Sequence, residues 1–174
     1  PGENLEGVST AIDFLHKANT GNVKVSGKVV VVGGGNVAID AARVAKRSGA
    51  SDVTMLSLET EDIMPASLQE RAEAREDGVV LNPGWGPKAV LGENGAVKGI
   101  SFKKCLSVFD ADHKFSPKYD EAQTIELEAD MVIFAIGQTV ELGGLFNGSN
   151  VGFHRGVYPV ADTLTLQTAQ EDIF

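Results

Sequence analysis

Lys28 to Arg47 reads KVVVVGGGNVAIDAARVAKR. Val29 to Val32 are four successive β-branched residues without polar alternation, the pattern of a parallel strand covered on both faces. Gly33, Gly34 and Gly35 interrupt the apolar run, and helical spacing follows. Gly33 permits a sharp bend out of the strand, Gly35 lets a phosphate approach the backbone closely, and Ala38 is the small residue where helix must lie against strand. Over Asn36 to Arg47, Val37, Ala38, Ala41, Val44 and Ala45 fall on one stripe and Asp40, Arg43 and Arg47 on the other side, which predicts a helix packed on a sheet. Ser48-Gly49-Ala50 ends that helix, and Val53 to Leu58 supplies the next apolar strand. A G-x-G-x-x-A turn between strand and helix matches a dinucleotide site, because the unpaired amides and positive end of the helix face a pyrophosphate. Such turns also close strands that bind nothing, and here the strand, turn, helix, strand order favours the ligand.

Working outward, Ser9 to Ala18 predicts an amphipathic helix, and Glu59 to Met64 an acidic loop. Ser67 and Glu70 have the spacing of a capping box, so a second helix is expected from Ser67 to Gly78, with Val79 to Leu81 as a third strand. Trp85 to Leu91, Ala96 to Leu106 and Thr124 to Leu127 predict an antiparallel meander, with Asp110 to Gln123 as an exposed polar loop. Met131 to Ile136 returns to an uninterrupted apolar strand ending on Gly137. The expected fold is α/β: a three-layer, Rossmann-like parallel sheet with helices on one face and an antiparallel β-meander on the other.

The chain has 174 residues, 43% hydrophobic, which is enough for a core and suits one domain over residues 1–174. A formal charge of −9 argues against nucleic acid or an anionic membrane as partner. No apolar run reaches the length of a membrane span, so a soluble, cytoplasmic protein is expected. Cys105 is the single cysteine, which excludes a disulfide framework or a cysteine-built cluster within these residues. Its place on an apolar strand favours packing over redox chemistry. His16, His113 and His154 lie in unrelated contexts, and no metal site is expected. Ser57 and Ser67 lack the glycine-flanked turn of a hydrolase nucleophile. No residue is a candidate catalytic acid or base.

A resemblance covers nearly the whole chain. It rests on Pro1-Gly2-Glu3-Asn4-Leu5-Glu6-Gly7-Val8 leading to Asp13-Phe14-Leu15, on Gly33-Gly34-Gly35-Asn36-Val37-Ala38-Ile39-Asp40-Ala41-Ala42-Arg43, on Met64-Pro65, and on Ala129-Asp130-Met131-Val132-Ile133-Phe134-Ala135-Ile136-Gly137-Gln138. These residues resemble the nicotinamide-nucleotide domain of FAD-dependent pyridine nucleotide oxidoreductases similar to the glutamate synthase small subunit and dihydropyrimidine dehydrogenase. The resemblance implies a domain excised from a larger flavoprotein, with residues 1–8 and 157–174 as boundaries toward an FAD domain of the same intact chain. Asp162 to Thr168 and Asp172-Ile173-Phe174 resemble the approach to a downstream flavin motif. FAD is therefore expected in the intact protein only, with iron-sulfur clusters in sequence outside this chain and an iron-sulfur or glutamate synthase-type subunit as a possible partner.

The expected cofactor-binding residues are Gly33, Gly34, Gly35, Asn36 and Val37 at the pyrophosphate, Glu59 at the adenosine ribose, and Ile136 and Gly137 closing the nicotinamide side. An acidic side chain at the end of the second strand accepts ribose hydroxyls in NAD sites, whereas arginine accommodates the extra phosphate of NADP. The resemblance aligns an arginine pair with Leu58 and Glu59, so this chain departs from the NADP pattern, and NAD(H) is favoured over NADP(H). Glu59 also reads as a solvated loop carboxylate. If NADPH binds more tightly, Arg71 or Arg75 must reach its phosphate. Two functions stand at this point: a domain holding nicotinamide for hydride transfer to FAD, and a non-catalytic NAD(H)-sensing regulatory module.

Overall fold

The computed structural model describes all residues, 1–174, in two compact units, Pro1–Ile136 and Gly137–Phe174, where the sequence reading treats the chain as one. In the first, a five-stranded parallel sheet is built from β1 (Val8–Thr10), β2 (Lys28–Val32), β3 (Asp52–Ser57), β4 (Val80–Pro83) and β8 (Met131–Phe134), in the order β1-β8-β2-β3-β4. The helices are α1 (Ala11–Asn19), α2 (Asn36–Arg47) and α3 (Leu68–Glu76). A separate antiparallel sheet holds β5 (Trp85–Glu93), β6 (Ala96–Phe109) and β7 (Phe115–Glu128) in that order.

Side chains of β2 alternate between two cores, which is why the strand carries valine at four successive positions. Val29 and Val31 pack with Phe14, Ala38, Ile39, Ala41, Ala42, Ala45 and Ala74 of the three helices. Val30 and Val32 pack with Val90, Val97, Ile100 and Phe102 of the meander. Each fully buried valine contributes roughly 1.5–3 kcal/mol relative to exposure in water. The expected three layers are therefore present: helices, parallel sheet, meander.

Strand order accounts for that division. The chain moves along the sheet from β1 to β2, β3 and β4 through helices on one face, then returns from β4 to β8, between β1 and β2. Right-handed crossovers in both directions require the returning connection to lie on the opposite face, and that connection is the meander.

Several boundaries differ from the sequence reading. Val8–Thr10 is an edge strand parallel to β8, not the start of a helix, and Thr10 caps α1 by accepting from the Asp13 amide at 3.2 Å. Only Asp110–Lys114 forms the expected polar loop; Phe115–Gln123 belongs to β7 and pairs with β6 through register shifts. Phe115, Pro117 and Tyr119 alternate with polar residues in this edge strand, but a proline sits in the alternation and Asp120 to Gln123 does not continue it. In α2, Ile39 is buried where Val37 is expected, and Val37 stands 38% exposed on the outward side of the first turn. Glu61–Ile63 forms a short 3-10 turn within the acidic loop.

Arg43 locks α2 to α3, bonding Glu73 at 2.5 Å and Asp77 at 2.7 Å, while Arg47 also reaches Asp77 at 2.8 Å. The Arg43 and Arg47 guanidiniums hold the Asp77 carboxyl below the usual carboxylate range. Glu73 is lowered likewise, first by its hydrogen bond from Gln69 and then by Arg43.

The second unit contains a two-stranded antiparallel pair, β9 (Phe153–His154) and β10 (Tyr158–Pro159). Phe146 and Phe153 meet edge to face at 5.2 Å. Asp162 accepts from the amides of Leu164 and Thr165 at 3.0 and 2.8 Å, and these bonds lower its carboxyl's pKa.

Candidate functional site

Parallel strands deliver the sequence-predicted turn to the carboxyl ends of β2, β3 and β8, the edge where ligands of open α/β sheets gather. The Gly33 amide donates to the Leu56 carbonyl and the Ala135 amide to the Val32 carbonyl, both at 2.8 Å, so the turn is held between the neighbouring strand ends. Gly33 has φ +148° and packs directly on the Ala135 carbonyl. Glycine alone enters that region without strain.

Gly35 is different in kind. Its φ and ψ of −93° and 175° suit any residue, and a Cβ built there meets nothing within 4 Å. This glycine is not required by packing inside the chain, and the space above it is open.

The three helix starts separate along the same line. Thr10 and Ser67 close the amino ends of α1 and α3 with their own hydroxyls. Gly35, the N-cap of α2, has no side chain to do so, and no acidic residue stands in the first turn. The Gly35 carbonyl already accepts from the Ala38 and Ile39 amides, which leaves the first-turn amides of Asn36 and Val37 pointing outward with the positive helix end behind them. An anionic pyrophosphate fits this group of donors.

Sequence reasoning missed how α3 is pinned to the turn. The Ala66 amide donates to the Gly34 carbonyl at 2.9 Å, and the Ser67 amide to Asn36 Oδ1 at 3.1 Å. Asn36 thus takes the bond that Glu70 would make in a full capping box, and Glu70 Oε2 stays buried without a partner. The Ser67 and Glu70 spacing signalled the helix start but not its anchor.

Glu59 lies just past β3, half-buried, with its carbonyl accepting from Ser57 Oγ at 3.0 Å and the Gly84 amide at 2.9 Å. Its side chain folds back over the glycine turn: Oε2 lies 2.6 Å from where a Cβ on Gly34 would sit. None of the chain's ion pairs involves it. A carboxylate beside the pyrophosphate turn can accept two adjacent hydroxyls, and it repels a phosphate placed there.

Arg71 and Arg75 are committed elsewhere. Buried Arg71 donates to the Glu61 carbonyl, and Arg75 pairs with the Glu61 carboxylate. Ile136 follows β8 and is 70% exposed; Gly137, with φ +117°, begins the second unit. Cys105 is buried, and burial, then the nearby Glu59 charge, pushes its thiol up, away from the reactive thiolate. No three His, Cys, Asp or Glu side chains are grouped to hold a metal ion, and no helix is long and apolar enough to cross a membrane.

The family described as pyridine nucleotide-disulphide oxidoreductase matches residues 1–174. The chain is 34% identical to the NADP(+)-dependent formate dehydrogenase subunit beta of Moorella thermoacetica, over 99% of this chain and 24% of that protein. It is 37% identical to the glutamate synthase [NADPH] small chain of Halomonas elongata, over 79% of this chain and 31% of that one. It is 32% identical to the NAD-dependent dihydropyrimidine dehydrogenase subunit PreT of Escherichia coli O157:H7, over 78% and 29%. The chain thus spans about a quarter to a third of the length of these relatives. In fold it resembles the Mycobacterium tuberculosis oxidoreductase FprA, with a TM-score of 0.66 over 92% of this chain and 56% of that one at 19% identity. The resemblance read from the sequence to glutamate synthase and dihydropyrimidine dehydrogenase flavoproteins is upheld.

Proposed function

We propose that this chain, which belongs to the pyridine nucleotide-disulphide oxidoreductase family, binds NAD(H) on the Gly33–Val37 turn within a flavin-dependent oxidoreductase. The observation that carries the proposal is the pairing of an uncapped helix start at Gly35 with the Glu59 carboxylate beside Gly34. The Asn36 and Val37 amides hold the pyrophosphate, and Glu59 accepts the adenosine ribose hydroxyls. Gly33 and Gly34 shape the turn, while Ile136 and Gly137 are assigned to the nicotinamide side. When bound, the nicotinamide supplies hydride chemistry to a flavin. The chain's own residues bind and orient, and they move no proton, which suits a transfer that needs alignment above all.

Among the helices, α2 alone starts from a glycine turn, and the nicotinamide dinucleotide takes it. A second such turn for FAD does not exist in these residues, so the flavin is assigned to an FAD domain of the intact chain. The relatives are named as subunits or small chains, which supports a redox partner subunit for the whole protein, with any iron-sulfur clusters in sequence outside these residues. The names of the relatives divide between NADP(H) and NAD. We assign the preference to local charge: Glu59 with Asp62 sets it against a 2′-phosphate, while Glu61 is paired with Arg75.

The test is a charge exchange. Leu58→Arg with Glu59→Arg should turn an NADH preference into an NADPH preference in calorimetric titrations at two salt concentrations, which separate local recognition from the general charge of −9. Losing one charged hydrogen bond costs about 1.5–3 kcal/mol, so the expected preference of the native chain is roughly tenfold to a hundredfold. A native chain that binds NADPH more tightly contradicts the assignment.

A further inference from the structure

We propose that Gly34 is a specificity-determining residue, because its missing Cβ leaves the space in which the Glu59 carboxylate rests beside the pyrophosphate turn. The proposal rests on the reading of Glu59 as the ribose acceptor and assigns what holds that acceptor in place.

Gly34 is buried, and its φ lies outside the left-handed region, so the backbone itself tolerates a side chain. What stands in the way is Glu59. A Cβ at residue 34 would lie 2.6 Å from Glu59 Oε2 and 3.3 Å from its Cδ, with Ser57 Cβ at 3.1 Å. The carboxylate is the free end of a flexible side chain and can swing away. The backbone of Glu59 cannot follow, because its carbonyl is held by the Gly84 amide and Ser57 Oγ. The Gly34 carbonyl is fixed in turn by the Ala66 amide. A methyl group at residue 34 therefore displaces one thing with ease, the acid that distinguishes a ribose hydroxyl from a phosphate. The middle glycine of the turn acts on cofactor choice, while Gly33 serves the bend and Gly35 the phosphate approach.

The experiment is a double-mutant cycle on the full chain with Gly34→Ala, Glu59→Gln and both together, titrated with NADH and NADPH. Gly34→Ala should weaken NADH about threefold to tenfold and leave NADPH almost unchanged. In the Glu59→Gln background the same substitution should change NADH affinity by a factor near one. If Gly34→Ala weakens NADH and NADPH equally and adds to Glu59→Gln, it acts on the pyrophosphate and the inference is overturned. If Glu59→Gln alone leaves NADH affinity intact, the reading of Glu59 fails first, a separate outcome. A second cycle guards against poor folding: melting temperatures of Gly34→Ala, Glu59→Ala and the pair. Truncating Glu59 should relieve the part of the Gly34→Ala loss that comes from the carboxylate, while the part due to the Ser57 contact is common to both backgrounds and remains. An unrelieved loss would overturn the steric account.

Discussion

Gly33→Ala separates the architecture of the turn from its chemistry. The substitution adds one methyl group at φ +148°, a region that side-chain-bearing residues rarely enter. Holding a non-glycine residue in such a region costs about 1–3 kcal/mol. The new Cβ would also lie 3.0 Å from the Ala135 carbonyl carbon, closer again to its oxygen, and 3.2 Å from the Ala135 Cβ. Neither partner can yield: Gly33 is bonded to Leu56 and Ala135 to Val32 in the middle of the sheet. Overpacking of this kind adds about 1–3 kcal/mol, for a total of about 2–6 kcal/mol. At about 2–4 °C per kcal/mol for a protein of this size, the melting temperature should fall by roughly 5–20 °C. Scanning calorimetry, with urea titration as a second probe, measures it. A Gly33→Ala chain that melts within a degree of the native one would refute the claim that β8 and the turn are packed backbone to backbone.

Ser67→Ala removes the hydroxyl that accepts from the Glu70 amide and should cost about 0.5–2 kcal/mol in urea unfolding, since α3 loses its cap while the Ser67 amide keeps its bond to Asn36. Stability should also fall on acidification: Asp77 and Glu73 have folded pKa values below their ordinary ones, so their contribution is complete above the ordinary carboxylate range and is lost as pH falls through the lowered values. Arg43→Met removes the partner and should flatten that acid limb in melting curves taken from neutral pH to about pH 3. An unchanged limb would mean that the Arg43 ion pairs add nothing to the pH dependence beyond what Arg47 and Gln69 supply.

The β2-turn-α2 segment was legible because its signals are local: four valines, three glycines and a helical stripe within twenty residues of chain. The position of Glu59 was legible for a related reason, since it follows the end of β3 at the rim of the sheet. Val8–Thr10 was not, because it is a strand only by pairing with β8 far along the chain. Phe115–Gln123 escaped because its short alternation, Phe115, Pro117 and Tyr119, is interrupted by a proline and gives way to Asp120-Glu121. The contact of Ala66 and Ser67 with Gly34 and Asn36 is tertiary, and the capping spacing announced where α3 begins without showing what it rests on. The role of Gly34 depends on the direction of one glutamate side chain, which no sequence period encodes.

The central claim, that a nicotinamide dinucleotide lies on the uncapped start of α2, is tested most directly by calorimetric titration of NADH into the native chain and into Gly35→Val. The valine enters open space at an ordinary φ, so circular dichroism should match the native chain and the melting temperature should fall only by the few degrees that a poorer N-cap costs. Its side chain nevertheless occupies the approach to the Asn36 and Val37 amides, and affinity should fall at least tenfold, a loss of about 1.4 kcal/mol or more. Equal affinity in the two folded proteins would show that the turn is structural and that the dinucleotide, if bound, lies elsewhere.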